Sequence, residues 1–263
     1  MDFTLSKYRS LLAALRSGGY EGIVPGRGDI NLAEGPAVLL RHDVDKRPER
    51  SLKTARIEAE MGFRAIYYFR AGSCSWDEEV VKEISSLGHG IGYHYECLTT
   101  CCGDMEAAWK DFQDHLARMR TVVPISSICM HGSPRSRWDS KDLWKTYDYR
   151  TLGVTYEPYL DTDFSRVFYL TDTGRRWDGW KVSVRDKIAD HQDTWTSQGL
   201  VFHSTDDIIE GITAGGFPER LMITTHPQRW TDSAAGWLRE VVAQTCKNIV
   251  KGTLISLRQV FCK

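Results

Sequence analysis

The chain of 263 residues is 41% hydrophobic and 26% charged, which suits one large or two modest soluble domains with a substantial core. Its 34 lysines and arginines nearly balance 35 aspartates and glutamates, so the net charge of -1 offers no electrostatic footprint for nucleic acid or for an anionic membrane. No window approaches about 18 uninterrupted apolar residues, and we therefore predict no membrane span.

The N-terminal segment predicts an amphipathic helix that caps the domain. Apolar residues recur at helical spacing from Phe3 to Leu15, and Gly18-Gly19 follows as a stop signal. The segment lacks the apolar core and cleavage site of a secretory signal. The seven cysteines also lack the paired spacing of a structural zinc site, so we predict reduced thiols and a cytoplasmic protein.

Short apolar segments and helical patterns then alternate along the chain. Apolar runs typical of strands alternate with helical periodicity over 37–45 (strand), 47–62 (helix), 63–70 (strand), 76–88 (helix), 89–96 (strand), 105–123 (helix) and 126–133 (strand). The pattern weakens over 147–208, where 169–186 and 200–205 resemble short strands, loops and a hairpin. An apolar run at 219–230 and a helix at 234–252 close the chain.

This alternation predicts parallel β/α units, arranged either as an open doubly wound sheet or as a barrel. Periodicity alone does not choose between the two. Because no repeat or linker interrupts the chain, we predict one domain over 1–263. It comprises an N-terminal capping helix and loop (1–35), a catalytic barrel (36–230), and a C-terminal helix and tail (231–263).

Polar side chains follow four of the predicted strands, at the point where each strand ends. They are Asp43 and Asp45 after the first strand, His94 and Glu96 after the third, His131 after the fourth and His226 after the late one. The carboxyl ends of parallel strands share one face, where sites are built. Imidazole and carboxylate are ligands of catalytic divalent metals, so the sequence predicts a metal site at this face.

Asp43 and Asp45 are two positions apart, so on an extended backbone both side chains point the same way. One can bind a metal while the other accepts a proton from water during attack on a carbonyl. His42 should face the opposite side, in a packing or supporting role. The alternative is that the two carboxylates form a turn or cap the helix that begins near Pro48.

The motifs resemble those of the polysaccharide deacetylases of carbohydrate esterase family 4, the NodB-homology family. "RHDVD" (41–45) resembles the first motif, which implies Asp43 as the base and Asp45 as a metal ligand. "LGHGIGYHYE" (87–96) is similar to the second and implies His94 as a ligand. "LMITTHP" (221–227) resembles the last and implies His226 as general acid. "MHGSP" (130–134) stands in the place of the third motif, and "DTGRRWD" (172–178) is loosely similar to the fourth.

The sequence departs from the family at the second metal histidine, whose position holds Leu98. The third ligand then comes from elsewhere, or the metal is absent. His131 is the first candidate because it ends the next strand along, and Glu96 is the second. The family's third motif brings an arginine, for which Arg135 is a candidate.

Further residues are predicted around this centre. Glu96, Arg135, Trp177 and Trp230 are assigned to substrate binding, the tryptophans because an aromatic face stacks on the C–H surface of a sugar. Asp172 is assigned to orienting His226.

The resemblance implies a distorted (β/α) barrel with about seven parallel strands. It also implies metal-dependent removal of an N-acetyl or other N-acyl group from a sugar. Zinc is the expected ion, and cobalt, nickel or manganese also suit the ligands. We predict a small carbohydrate, or a nucleotide- or lipid-linked sugar intermediate of polysaccharide biosynthesis, as substrate. The alternatives are an inactive carbohydrate-binding relative, or a hydrolase of another amide or ester; no oligomeric state is predicted.

Overall fold

Seven parallel strands form one sheet in the computed structural model, which describes residues 1–133, 136–181, 183, 186–242 and 245. The strands are β1 (Glu21–Gly22), β2 (Ala37–Val44), β3 (Ile66–Phe69), β4 (Gly90–Tyr95), β5 (Ile128–Met130), β6 (Phe168–Thr171) and β7 (Arg220–Thr225). The α-helices are α1 (Leu5–Ser17), α2 (Pro48–Glu60), α3 (Glu78–Ser86), α4 (Cys97–Thr100), α5 (Met105–Arg120), α6 (Pro158–Asp161), α7 (Ala189–Ser197) and α8 (Thr205–Ala214). Short 3-10 helices span Ile30–Leu32, Ser140–Lys145, Tyr149–Leu152, Gly179–Lys181 and Pro227–Arg229.

The order of the strands distinguishes a barrel from a doubly wound sheet. The sheet runs β5-β4-β3-β2-β7-β6, and β1 pairs with the first residues of β2. Around a barrel, β2 to β7 therefore follow one another in chain order, and β7 returns to pair with β2. Among the described residues no pairing joins β5 to β6, which leaves the barrel incomplete at that point. The predicted distorted barrel of about seven parallel strands is confirmed.

The prediction for the middle of the chain is wrong at 200–205, which is a loop leading into α8 rather than a strand. Ser204 begins α8 with a capping box that it forms with Asp207. The apolar residues that suggested a strand pack as a loop, since Phe202 contacts Phe168 and Phe217. Helix α7 also lies in this region, and 172–181 forms turns and a 3-10 helix rather than a hairpin.

The predicted N-terminal helix is present, and part of the predicted C-terminal helix lies among the described residues. Helix α1 begins after Thr4, whose side chain accepts a hydrogen bond from the backbone of Lys7, and it packs against α8. At the other end residues 234–242 are helical, and the remainder of the predicted helix lies outside the described residues, apart from Thr245, which is also helical. None of the helices described is both long enough and apolar enough to cross a membrane.

Strand β2 is buried along its whole length, including the charged residues near its end. Alternation sends Arg41 and Asp43 to one face and His42 to the other. On that other face, His42 Nε2 lies 2.6 Å from Oε1 of Glu58, a buried residue of α2. Tyr67 donates to Oε2 of Glu58 at 2.6 Å. His42 therefore supports the sheet from behind and does not face the other polar strand ends.

We expect His89 to make the fold less stable in acid. This buried imidazole donates from Nε2 to the backbone oxygen of Ala55 (2.9 Å) and accepts at Nδ1 from the backbone of Ala65 (3.1 Å). Burial lowers its pKa below the ordinary 6.5. As the pH falls below about 6.5, the unfolded chain takes up this proton before the folded chain does, so the free energy of unfolding should fall. Urea unfolding at about pH 7 and about pH 5 should show this fall, and His89→Gln should reduce it. An equal fall in both proteins would contradict the assignment.

Candidate metal centre

Three potential ligand atoms meet where β2, β4 and β5 end. Nδ1 of His131 lies 3.2 Å from Oδ1 of Asp45 and 3.2 Å from Nε2 of His94. Nε2 of His94 lies 3.7 Å from the same oxygen of Asp45. We call these atoms the ligand triangle. The structure thus brings together the three residues that the sequence assigned to the metal.

The dimensions of the ligand triangle fit a small divalent cation. A tetrahedral ion with ligand distances of about 2.0–2.2 Å separates its ligand atoms by about 3.3–3.6 Å, close to the observed edges. Oδ1 of Asp45 is buried and has no well-aligned hydrogen-bond donor among the described residues; its near neighbours are Nδ1 of His131 at 3.2 Å and Nε2 of His94 at 3.7 Å. An ionised carboxylate oxygen with no donor is costly to bury, and a cation would satisfy it. Two imidazoles and one carboxylate are also a donor set that zinc accepts.

His94 presents an unprotonated nitrogen to the ligand triangle. Its Nδ1 donates to the backbone oxygen of Cys129 at 2.9 Å, which fixes the tautomer and leaves the Nε2 lone pair facing Asp45. Burial lowers the pKa of His94 to about 4, so the ring is neutral at neutral pH. A neutral imidazole with a fixed tautomer is the form that binds a metal.

His131 lies beside His94 and Asp45, where its imidazole can replace the donor that Leu98 lacks. Its backbone N–H donates to the oxygen of Tyr95 at 2.8 Å, which places the ring beside β4. Glu96, the other candidate, is turned toward Arg70, whose Nε donates to its Oε1 at 2.8 Å. The other oxygen of Glu96 is 3.8 Å from Nε2 of His131, on the far side of that ring. Leu98 itself is buried in α4.

Asp43 lies beside the ligand triangle in an ion pair that the sequence analysis missed. Arg41 donates from Nε to Oδ1 (2.9 Å) and from Nη2 to Oδ2 (2.7 Å), and both side chains are buried. Oδ2 of Asp43 is also 3.7 Å from Nε2 of His94. The signal for this pair was present in the sequence, because residues two apart on a strand share a face.

His226 is held by the buried carboxylate of Asp172. Oδ1 of Asp172 lies 2.6 Å from Nδ1 of His226, and Oδ2 accepts from the His226 backbone at 3.0 Å. Burial alone would raise the pKa of Asp172, but Arg229 and His226 outweigh it and hold that pKa below its usual value. Because Nδ1 is engaged, Nε2 of His226 is left facing Asp45, 4.0 Å from its Oδ2. Asp172 therefore stands where it can orient His226.

The two tryptophans predicted to bind substrate are buried in the core. Trp177 is 3% exposed and donates to Thr205, and Trp230 is 1% exposed and donates to Asp172. Both rings pack in the core, against Phe3 and each other, so neither face is open to a sugar. This placement disagrees with the predicted stacking role. Arg135 lies outside the described residues.

Comparison with known proteins adds a structural likeness. No protein-family model matches the sequence, and no curated protein matches it significantly. Among solved structures, the chain is similar to Bacillus subtilis PdaA, a family 4 carbohydrate esterase. The TM-score is 0.40 at 10% sequence identity, over 89% of this chain and 82% of that one. The site assignments therefore rest on the contacts within this chain.

Proposed function

We propose that the chain is a metal-dependent hydrolase that removes an N-acyl group, in the first instance N-acetyl, from a sugar. The observation that carries this proposal is the ligand triangle, in which a buried oxygen of Asp45 has no well-aligned hydrogen-bond donor among the described residues and faces two imidazole nitrogens. The resemblance of the motifs around Asp43, His94 and His226 to the polysaccharide deacetylases supports the choice of an N-acyl sugar.

Asp45, His94 and His131 would hold the ion. When bound, a divalent cation lowers the pKa of water and polarises an acyl oxygen. Three protein ligands leave room for water and substrate, which is the arrangement of catalytic rather than structural zinc. In this arrangement His131 would supply the third donor that is missing at Leu98. This favours the enzyme over the inactive sugar-binding relative.

Asp43 is suited to accept the proton of the attacking water. Its carboxylate is oriented by the two hydrogen bonds from Arg41, and Oδ2 faces His94 at the edge of the ligand triangle. A general base needs a fixed carboxylate within reach of the water that it deprotonates. Asp43 meets this requirement without itself being one of the three ligands.

His226 is suited to protonate the departing amine. Asp172 engages Nδ1 and thereby leaves Nε2 directed toward the site. Asp43 lies beside the His94 corner of the ligand triangle, whereas His226 lies beside the Asp45 corner. The base and the acid would therefore act from different sides of the ion. This separation suits a reaction that takes a proton from water and delivers one to the leaving nitrogen.

The proposal is tested by metal loading and acetate release. Purified protein should hold about one zinc ion per chain, and it should release acetate from nucleotide-linked or lipid-linked N-acetyl sugars. A chelator should abolish release and added zinc should restore it. Absence of bound metal after zinc is supplied would overturn the proposal. A preference for long polymeric chitin would overturn only the choice of a small activated sugar, and release of another acid from an ester or other amide would change the bond.

A further inference from the structure

Three carboxylates near the ligand triangle are each paired with an arginine. The pairs are Asp43 with Arg41 (2.7 Å), Glu96 with Arg70 (2.8 Å) and Asp172 with Arg229 (2.7 Å). In each pair the guanidinium both orients the carboxylate and neutralises its charge. Such a carboxylate has little net charge left to attract a cation.

The carboxylate of Asp45 is instead bound by a neutral side chain. Its Oδ2 accepts a hydrogen bond of 3.0 Å from Nε2 of Gln228, a neutral amide. Arg70, which lies nearby, reaches the backbone oxygen of Asp45 (3.5 Å) rather than the carboxylate. The carboxylate that belongs to the ligand triangle is therefore oriented by a donor that leaves its negative charge intact.

The position of Gln228 is set by the backbone around it. It belongs to the 3-10 helix Pro227–Arg229, directly after His226, and it is 3% exposed. Nη1 of Arg50, on α2, donates to its backbone oxygen at 2.7 Å. The amide is assigned with Nε2 toward Asp45 because the reverse orientation would bring two acceptor oxygens together. The amide is thus aimed at Asp45 from a fixed platform.

The other end of the amide gains nothing from this arrangement. Oε1 of Gln228 is buried and has no hydrogen-bond partner among the described residues. A buried acceptor without a donor costs free energy that an apolar side chain of similar length avoids. The hydrogen bond from Nε2 to Asp45 is therefore the favourable contact that the amide makes at this position.

We propose that Gln228 is a positioning residue for the metal ligand Asp45. The amide of Gln228 donates to Oδ2, so that Asp45 would bind the ion through Oδ1 alone. Because the amide is neutral, it does not offset the negative charge that attracts the ion. The proposal rests on the metal centre of the proposed function. Partners that orient a ligand in this way typically change metal affinity by about 10-fold to 100-fold when removed.

The test compares Gln228→Met, which keeps the length of the side chain but removes the donor, with Gln198→Met, the same change at an exposed position. Zinc affinity is measured by competition with a chelating dye. We expect binding about 10-fold to 100-fold weaker in Q228M and unchanged binding in Q198M. The visible spectrum of the cobalt-loaded protein gives a second readout. A second Asp45 oxygen that becomes free to join the ion raises the coordination number, and the cobalt absorption should weaken in Q228M only.

Gln228→Lys tests whether the hydrogen-bond donor to Asp45 must be neutral. It also replaces Q228M if that variant does not fold. Lysine donates a hydrogen bond but adds a positive charge, so Q228K should also bind zinc more weakly. Wild-type affinity in Q228K, or wild-type affinity and cobalt spectrum in Q228M, would overturn the role of Gln228 while leaving the metal centre standing. A lowered melting temperature of the metal-free protein with unchanged metal affinity would likewise show a merely structural role. Failure of the unmodified protein to bind zinc would overturn both proposals together.

Discussion

Replacing Asp43 with asparagine is expected to lower the turnover of an N-acetyl sugar by about 100-fold to 10,000-fold while zinc stays bound. An amide cannot accept a proton from water at neutral pH, and the three atoms of the ligand triangle are untouched by the change. The measurements are steady-state acetate release and zinc content of the same preparation. Turnover within about tenfold of the unmodified enzyme would place the base elsewhere.

Asp43→Asn also breaks the buried ion pair with Arg41, so its effect on stability must be measured separately. Removing one partner of a buried pair leaves a buried charge and costs about 3–5 kcal/mol of stability. The double variant Arg41→Met, Asp43→Asn removes both charges and should recover part of that loss. It should not recover activity. Recovery of both would show that the loss in D43N came from unfolding rather than from loss of a base.

Replacing His94 with alanine is expected to weaken zinc binding by more than about 100-fold, beyond the range for residues that only orient a ligand. Activity should be lost with the metal, because the ligand triangle retains only two members. His131→Ala should have a similar effect, since Nδ1 of His131 lies 3.2 Å from both other ligand atoms. Zinc content after dialysis and dye competition measure both.

Glu96→Gln is the matched control for the third ligand. Glu96 is directed toward Arg70, so this variant should keep its zinc. Full occupancy in His131→Ala together with loss in Glu96→Gln would assign the third ligand to Glu96. Loss in both variants would indicate that Glu96 supports the ring of His131.

The strand ends were the most predictable part of the molecule. Asp45, His94 and His131 follow strands whose apolar runs are clear in the sequence, and parallel strands bring their ends together whatever the helices do. The middle of the chain was harder, because Phe202 lies in an apolar triplet that resembles a strand and packs as a loop. Here tertiary packing overrides the local pattern.

The partners of the site residues could not be predicted in the same way. Arg41 was within reach of a sequence argument, since it shares a face with Asp43. Gln228 was not, because its contact with Asp45 joins two loops that are distant in the sequence and meet only through the pairing of β2 with β7. Trp230 was misjudged because an aromatic ring beside a site has the same sequence signature whether it lines the cavity or fills the core.

The buried contacts behind β2 also bear on the alignment of the proposed acid and base. Nδ1 of His42 lies 2.6 Å from the hydroxyl of Thr225, and these residues immediately precede Asp43 and His226 on neighbouring strands. Glu58 holds the other nitrogen of His42. This cross-link fastens the two strands together one residue below the site, on the face turned away from it. The spacing between the proposed proton acceptor and the proposed proton donor is thereby constrained by side chains on the opposite face of the sheet.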